Sequence, residues 1–350
     1  MKGVILHGGS GSRLRPFTYS DVKQLLPVAG KPTSEYALRD MLDIGIEEIA
    51  IIIGNIGGEE VKKYYGNGDK WGVDINYIYQ EKPLGIAQAI SLTEEFVGKS
   101  DFVVYLGDNI VQNGIKEAFG NFEVEQDAHV QIVKVKDPSR YGVVYVENGK
   151  IKNLVEKPAR PESNMALVGV YFLRPSIFPI LKELKPSKRN ELEITDALRI
   201  MVERNMKVGF SEVKGWWKDT GSPEDFLDCN RLVLDEIRGN LSDEKIFGRV
   251  YAEEGVFIDD KSKIFGPAYV GRDTKIENSV IRPYTSIGRN CAIKNAEIED
   301  SVLMDNVNAR FENTQIISDS LIGYNSEVRT NQHRSGKKRM IIGRDSILEI

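Results

Sequence analysis

The chain has 350 residues, which leaves room for two domains. With 41% hydrophobic residues, 28% charged residues and a formal net charge of −5, the composition is typical of a globular protein and argues against general nucleic-acid binding. No apolar run approaches the roughly 20 residues of a membrane span, and no signal-peptide pattern precedes the first apolar segment, so we expect a cytoplasmic protein. Cys229 and Cys291 lie far apart and indicate neither a disulfide framework nor a zinc site.

Up to about residue 240, apolar strands alternate with helical patterns. Strands are predicted over 3–6, 47–53, 74–79 and 101–106, and helices over 34–44, 59–65 and 86–96. This alternation predicts an α/β fold with a doubly wound, Rossmann-like, mostly parallel sheet. The strand-rich stretch 128–172 predicts an inserted β region, and Ser222-Pro223 predicts the start of a further helix.

After Asn240 the pattern changes to a repeat of about six residues. Aliphatic residues follow this spacing with occasional slips, at Ile258, Ile264, Val270, Ile276, Ile281, Ile287, Ile293, Ile298, Leu303, Ile316, Leu321 and Val328. A hexapeptide repeat of aliphatics is typical of a left-handed parallel β-helix, in which each aliphatic points inward. A chance run of strands in a sandwich is the alternative. We therefore predict two domains, 1–240 and 241–350, the second ending in a C-terminal tail.

The first strand leads into a glycine-rich segment with Gly8, Gly9 and Gly11. Glycines let the backbone approach a ligand closely, and their N–H groups can line an anion site. Arg13 and Lys23 add positive charge, which suits a nucleoside triphosphate. The spacing is neither that of a P-loop nor that of a dinucleotide-binding turn, so an ordinary glycine turn is an equally open interpretation.

Two aspartates follow predicted strands in distant parts of the chain. Asp108 ends the run 103–108, and Asp219 lies in the segment 216–221. Two carboxylates could share a Mg²⁺ ion, which prefers oxygen ligands and bridges phosphates. An aspartate after a strand also serves commonly as a turn residue or a helix cap.

Five separated segments together resemble the sugar-1-phosphate nucleotidylyltransferase family. The segments 8–16 and 23–28 resemble its opening motif, 79–89 its base-recognition loop, and 107–109 and 216–221 its metal-binding motifs. The resemblance spans nearly the whole chain and is greatest to the long form of the glucose-1-phosphate thymidylyltransferases. It implies that 1–240 is the nucleotidyltransferase domain and that the substrates are a nucleoside triphosphate and a sugar 1-phosphate.

The resemblance also implies roles for individual residues. The implied catalytic residues are Arg13, Lys23, Asp108 and Asp219, with Asp108 and Asp219 as ligands of the cofactor Mg²⁺. The implied nucleotide contacts are Leu6, Gly8, Gly9, Gly11, Ser12, Gln24, Gln80 and Gly85. The implied contacts to the sugar phosphate are Asn109, Gly142, Glu156, Lys157, Leu167 and Arg189. Gln80 can pair with a pyrimidine edge because its amide both donates and accepts hydrogen bonds; Arg189 could equally be a surface arginine.

The sequence departs from the family pattern at two positions. His7 stands where the family usually has alanine or serine, and Ser12 replaces the usual threonine. Ser12 keeps a hydroxyl group. His7 could alter base or ribose preference, or could simply pack against the sheet.

Several functional alternatives stay open at this point. We predict transfer from dTTP to glucose 1-phosphate, giving dTDP-glucose and pyrophosphate, with UTP as the alternative nucleotide because the difference is small. A catalytically silent regulatory subunit that binds sugar nucleotides is a further alternative. Acetyl transfer by the β-helix is disfavoured because His7, His129 and His333 all lie outside the predicted coils. A solenoid with exposed ends also predicts a homo-oligomer.

Overall fold

The computed structural model describes residues 1–9, 11–330 and 336–349, so Ser10 and His333 lie outside the described residues. The chain forms two compact units. The first contains residues 1–10 and 34–218, and the second contains 11–33 and 219–350. The predicted domain boundary at residue 240 rests on the change of sequence pattern, whereas these units are defined by contacts within the fold. The boundary at residue 240 therefore stays a prediction.

A nine-stranded sheet forms the centre of the first unit. Its main path runs in the spatial order Lys150–Glu156, Gly142–Glu147, Met165–Leu173, Phe102–Leu106, Lys2–Leu6, Glu48–Ile53 and Asp74–Tyr79. The last four of these strands are mutually parallel, which confirms the predicted doubly wound sheet. The strand Ala128–Lys134 pairs antiparallel with Met165–Leu173 and parallel with Val208–Glu212. The stretch 128–173 is thus strand-rich, as predicted.

Helices occur close to the predicted segments 34–44 and 59–65 and after Ser222, and three others, Lys116–Gly120, Ile177–Glu183 and Ile194–Glu203, were not predicted. The helices are Thr33–Asp43, Gly58–Tyr65, Ile86–Ser91, Glu94–Val97, Lys116–Gly120, Ile177–Glu183, Ile194–Glu203 and Pro223–Asp235. Short 3₁₀ turns cover Ser12–Leu14, Phe17–Tyr19, Lys23–Leu25, Asp69–Trp71 and Pro138–Arg140. The single helix predicted over 86–96 is wrong: Thr93 bonds the carbonyl of Ile90 through both its N–H and its hydroxyl, at 2.9 and 2.7 Å. That tightened turn divides the segment into two helices.

Two small pairs of strands complete the part of the chain before the coils. Pro27–Val28 pairs antiparallel with Lys31–Pro32. Asn109–Val111 forms a two-stranded sheet with Trp217–Asp219. Asp219 therefore ends a strand, as predicted from its sequence position.

The second unit contains a parallel β-helix built from three stacks of short strands. The first stack contains Ile246–Phe247, Lys263–Phe265, Val280–Ile281 and Lys337–Lys338. The second stack contains Val250–Ala252, Ala268–Val270, Thr285–Ile287, Val302–Leu303, Leu321–Ile322 and Ile341–Ile342. The third stack contains Phe257–Ile258, Lys275–Glu277, Glu327–Arg329 and Ile347–Glu349. The longer strands Ala292–Glu299 and Asn308–Ser318 turn a corner and contribute to both the first and the third stack.

In-register aliphatic side chains fill the interior of the β-helix. Ile264, Ile281, Ile298 and Ile317 pair in sequence along one stack and are each fully buried. The prediction of Ile316 as the inward residue is wrong by one position, because the longer connection before it shifts the phase of the repeat. Most of the predicted inward residues are buried, which explains the six-residue spacing.

The helix Pro223–Asp235 is capped as predicted and is joined to its unit by a buried asparagine. The Ser222 hydroxyl accepts a hydrogen bond from the Asp225 N–H at 3.2 Å. Asn230 Oδ1 accepts from the Ala29 N–H at 3.0 Å and from the Ser286 hydroxyl at 2.7 Å, and Nδ2 donates to the Tyr284 carbonyl at 3.1 Å. Asn230 is fully buried, so these bonds replace all of its contact with water.

The sequence also leads to expectations about the two cysteines and about membrane-spanning segments. Cys229 and Cys291 are buried thiols that no disulfide joins. No helix among the described residues is both long enough and apolar enough to cross a membrane.

The Asn230 contacts generate a stability prediction. Asn230→Leu keeps the side-chain volume but leaves the buried Ala29 N–H and the Ser286 hydroxyl without this partner. We expect the free energy of unfolding to fall by about 2–4 kcal/mol, measured by urea denaturation. The exposed Arg238 is the control, since Arg238→Ala should change stability by less than about 0.5 kcal/mol. Equal stability of the Asn230 variant and wild type would contradict this account.

Candidate functional site

In the first unit, candidate residues leave the sheet at one edge. Leu6 pairs with Ile52 on one side and Leu106 on the other, so the glycine segment after Leu6 and the Gly107-Asp108 segment start at the same level. Ligands of open parallel sheets bind at this carboxyl edge. The structure therefore places Gly8, Gly9 and Asp108 where a ligand site is expected.

Gln80 lies beside this glycine segment. It follows the strand Asp74–Tyr79, is 4% exposed, and its Nε2 donates to Gln88 Oε1 at 2.6 Å. A Cβ atom placed on Gly8 would lie 3.1 Å from Gln80 Oε1. The amide is thus held with its oxygen towards Gly8, which makes it a fixed hydrogen-bond acceptor there.

Gly85 has a structural reason to be glycine. Its φ of +111° disfavours other residues, and a Cβ would lie 2.5 Å from the Leu192 carbonyl oxygen. The adjacent Leu84 carbonyl accepts from the Leu192 N–H at 2.7 Å. This glycine packs against the backbone of Leu192, and its predicted contact with the nucleotide stays a prediction.

Asn109 connects Asp108 to distant parts of the first unit. Its Nδ2 donates to Asp108 Oδ1 at 2.7 Å, while its Oδ1 accepts from Trp217 Nε1 at 2.7 Å and from the Gly169 N–H at 3.2 Å. Asn109 is 2% exposed, and the Tyr141 ring packs edge-on against Trp217 with a centroid distance of 5.1 Å. These contacts hold the Asp108 carboxylate in one orientation. The indole N–H of Trp217 is a partner that sequence analysis missed.

A second group of predicted residues surrounds Glu156. Its Oε2 accepts from the Thr195 hydroxyl at 2.7 Å, and its Oε1 lies 3.6 Å from Lys157 Nζ. A Cβ on Gly142 would lie 2.8 Å from Thr195 Oγ1 and 3.5 Å from Leu167 Cβ. Gly142, Glu156 and Leu167 therefore lie together, and their contact with the sugar phosphate stays a prediction. Thr195, which was missed, holds the carboxylate.

Arg189 lies among carboxylates. Its guanidinium nitrogens are 3.2 Å from Glu156, 2.9 Å from Glu191 and 3.5 Å from Glu193. Burial is the largest influence that raises the pKa of Glu193, and the nearby Glu156 charge acts in the same direction. The positive charge of Arg189 opposes that shift. A role for Arg189 as a phosphate anchor stays a prediction.

The second unit holds the other candidate residues. Arg13 and Asp219 both border Gly221, where a Cβ would lie 2.9 Å from Arg13 Nη2 and 3.2 Å from Asp219 Oδ2. Gly11 precedes the turn Ser12–Leu14, and its carbonyl accepts from the Thr18 hydroxyl at 2.7 Å.

The same unit contains the turn Lys23–Leu25, which carries the predicted Lys23 and Gln24. Gln24 is 2% exposed. Both of the predicted cations, Arg13 and Lys23, are thus carried by short 3₁₀ turns that follow the glycine segment.

Comparison with known proteins identifies the family. A family model described as nucleotidyl transferase matches residues 2–236. The chain belongs to the nucleotidyl transferase family. Two relatives match its whole length. The low-salt glycan biosynthesis nucleotidyltransferase of Haloferax volcanii is 39% identical, and the match covers 100% of both chains. The glucose-1-phosphate thymidylyltransferase of Streptomyces antibioticus is 38% identical, and the match covers 100% of this chain and 99% of the relative.

The chain also resembles solved structures. A Bacillus anthracis protein assigned as a glucose-1-phosphate thymidylyltransferase is 40% identical, with a TM-score of 0.64, and the match covers 69% of this chain and 98% of that one. A UDP-glucose pyrophosphorylase in complex with UDP-glucose is 30% identical, with a TM-score of 0.61, and the match covers 67% and 98%. The resemblance to the sugar-1-phosphate nucleotidylyltransferases is therefore confirmed.

The Trp217–Asn109–Asp108 contacts generate an activity prediction for this nucleotidyl transferase. Trp217→Phe removes the shorter of the two hydrogen bonds that Asn109 Oδ1 accepts and leaves the one from the Gly169 N–H, so the Asp108 carboxylate should be held less firmly. We expect kcat to fall about tenfold with little change in melting temperature, measured by steady-state kinetics and thermal denaturation.

A second tryptophan provides the matched control. Trp71 is in the same unit, and within the described part of the chain its Nε1 is buried without a hydrogen-bond partner. Trp71→Phe should therefore leave kcat unchanged. Equal kcat values for the two variants would contradict the orienting role of Trp217.

Proposed function

We propose that the chain transfers a nucleotidyl group from dTTP to α-D-glucose 1-phosphate, giving dTDP-glucose and pyrophosphate. A phosphate oxygen of the sugar phosphate forms the new bond to the α-phosphorus as the bond to the pyrophosphate oxygen breaks. The attacking oxygen is already anionic, so the reaction needs positioning and charge stabilisation more than a strong base.

One observation carries this proposal: Gly8, Gln80 and the Asp108-Asn109 pair lie at the carboxyl edge of one sheet. A glycine segment for close backbone approach, a fixed amide and a carboxylate are the groups that recognition and activation of a nucleotide require. Full-length relatives named as glucose-1-phosphate thymidylyltransferases support the choice of dTTP and glucose 1-phosphate.

The geometry of Gln80 suits a thymine or uracil base. Its Nε2 donates to Gln88, and its Oε1 lies towards Gly8. Thymine and uracil each have an N3–H group from which this oxygen can accept a hydrogen bond, whereas N3 of cytosine carries no hydrogen. In this proposal Leu6, Gly8, Gly9 and Gly85 contact the same nucleotide.

Positive charge is required at the triphosphate and at the sugar phosphate. We assign Arg13 and Lys23, with Gly11, Ser12 and Gln24, to the triphosphate and the departing pyrophosphate. We assign Lys157 and Arg189 to the phosphate of the sugar substrate. Asn109, Gly142, Glu156 and Leu167 would contact the sugar, with the Glu156 carboxylate accepting bonds from its hydroxyl groups.

Members of this family generally use a divalent metal. Among the described residues, no group of three or more histidine, cysteine or acidic side chains is placed to hold a metal alone. Mg²⁺ is commonly held by one or two carboxylates together with substrate phosphates. Asp108 and Asp219 are the proposed ligands, and the bound ion would neutralise charge on the phosphates.

The test is pyrophosphate release from purified protein with Mg²⁺ and glucose 1-phosphate, comparing dTTP, UTP, ATP, CTP and GTP. Preference for dTTP supports the proposal. Preference for UTP would favour the uridylyl alternative, which the similarity to UDP-glucose pyrophosphorylase also supports. If the protein binds nucleotides or sugar nucleotides but releases no pyrophosphate, either with glucose 1-phosphate or with other sugar phosphates, the result would favour a regulatory subunit. A cytoplasmic location and a homo-oligomeric state stay predictions.

Asp108→Asn provides a direct test of the metal site. The variant keeps the shape of the side chain but loses the negative charge that holds the ion, so we expect kcat to fall about 100-fold or more with the fold retained. Asp74, at the amino end of a strand in the same sheet, is the matched control, and Asp74→Asn should keep full activity. Near-normal turnover of the Asp108 variant would remove this residue from the mechanism.

A further inference from the structure

His7 is a buried residue whose two ring nitrogens have no hydrogen-bond partner among the described residues. It follows the strand Lys2–Leu6, and its backbone N–H donates to the Ile52 carbonyl at 3.0 Å. The side chain is only 5% exposed, and within the described ranges neither Nδ1 nor Nε2 has a hydrogen-bond partner. Buried polar atoms in folded proteins nearly always have partners, so this imidazole requires an explanation.

His129 shows how the same unit satisfies another buried histidine. It is 1% exposed, its Nδ1 is 3.0 Å from Gln126 Oε1, and its Nε2 is 3.0 Å from Ser211 Oγ. Burial lowers the pKa of His7 to about 3 and that of His129 to about 4, so both rings are neutral at physiological pH. A neutral imidazole has one donor and one acceptor. Both are used in His129, whereas neither ring nitrogen of His7 has a partner in the part of the chain that the structure describes.

The surroundings of His7 place it next to the proposed nucleotide site. It is adjacent to Gly8, and the Asp108 charge is close enough to oppose the fall in its pKa. The Tyr65 ring packs edge-on at a centroid distance of 5.9 Å, but the Tyr65 hydroxyl is already bonded to Ser34 Oγ at 2.6 Å. The neighbouring aromatic residue therefore packs against the imidazole without completing its hydrogen bonds.

We infer that the bound nucleotide completes the hydrogen bonding of His7, through a hydroxyl group of its ribose or deoxyribose. This inference rests on the proposed function. A hydroxyl both donates and accepts, so it matches either tautomer of a neutral imidazole, whereas phosphate oxygens are matched by the cations Arg13 and Lys23. Gln80 already provides the polar group for the base. His7 would thus contribute to the affinity for the nucleotide through its sugar ring.

The test measures nucleotide binding by titration calorimetry with Mg²⁺ and without sugar phosphate. The ligands are dTTP and its 3′-deoxy analogue, which lacks the remaining ring hydroxyl. Wild type should bind dTTP about five- to tenfold more tightly than the analogue. His7→Ala should lose most of that ratio, and His7→Gln, which keeps a donor and an acceptor, should retain part of it.

His129→Ala is the matched control because it removes a buried neutral histidine whose nitrogens are both bonded. It should lower the melting temperature and keep the binding ratio of wild type. His7→Ala removes packing against Tyr65 but no side-chain hydrogen bond seen among the described residues, so its melting temperature should fall less than that of His129→Ala. A ratio in His7→Ala equal to that of wild type would overturn the inference. Binding without pyrophosphate release would refute the proposed function while still deciding the role of His7, and a protein that binds neither nucleotide would refute both.

Discussion

Backbone pairing of three parallel strands determines where the candidate groups of the first unit lie. Lys2–Leu6 is bonded to Glu48–Ile53 on one side and to Phe102–Leu106 on the other. Because Leu6 faces both Ile52 and Leu106, the segments that follow these strands leave the sheet at one level. These strands are buried on both faces, so a shift of one residue would disrupt the packing of side chains on both sides of the sheet. The position of Asp108 relative to Gly8 therefore follows from the packing of the core.

Hydrogen bonds between distant segments then orient the side chains that this register brings together. Asn109 accepts from Trp217 and donates to Asp108, so a residue more than a hundred positions away in the sequence helps to orient the proposed metal ligand. Thr195, 39 positions from Glu156, donates directly to the Glu156 carboxylate. In both pairs the supporting residue is itself buried, which restricts the carboxylate to one rotamer.

Local periodicity explains which parts of the fold could be predicted from the sequence. The strand 74–79 has its predicted bounds, because its alternation depends on adjacent residues alone. The helix over 86–96 fails at Thr93, whose hydroxyl competes for a backbone carbonyl, and the aliphatic repeat fails at Ile316, where a longer connection shifts its phase. The sequence motifs identified Gly8, Gln80 and Asp108 as candidate site residues. The partners Gln88, Thr195 and Trp217 could not be predicted, because their contacts depend on strand register and helix packing.

Charge balance around Arg189 shows what a sugar phosphate would meet on binding. Arg189 lies within 3.5 Å of Glu156, Glu191 and Glu193, and its charge offsets the repulsion among these carboxylates. A phosphate that approached Arg189 would compete with groups that the protein already holds there. Among the ion pairs described, Lys157 pairs only with Glu156, at 3.6 Å. Less carboxylate charge therefore opposes an anion that approaches its ammonium group. On electrostatic grounds Lys157 is therefore the stronger of the two proposed contacts to the phosphate. Within the proposed function, Arg189 would chiefly hold Glu156, to which it is ion-paired, in position for the sugar.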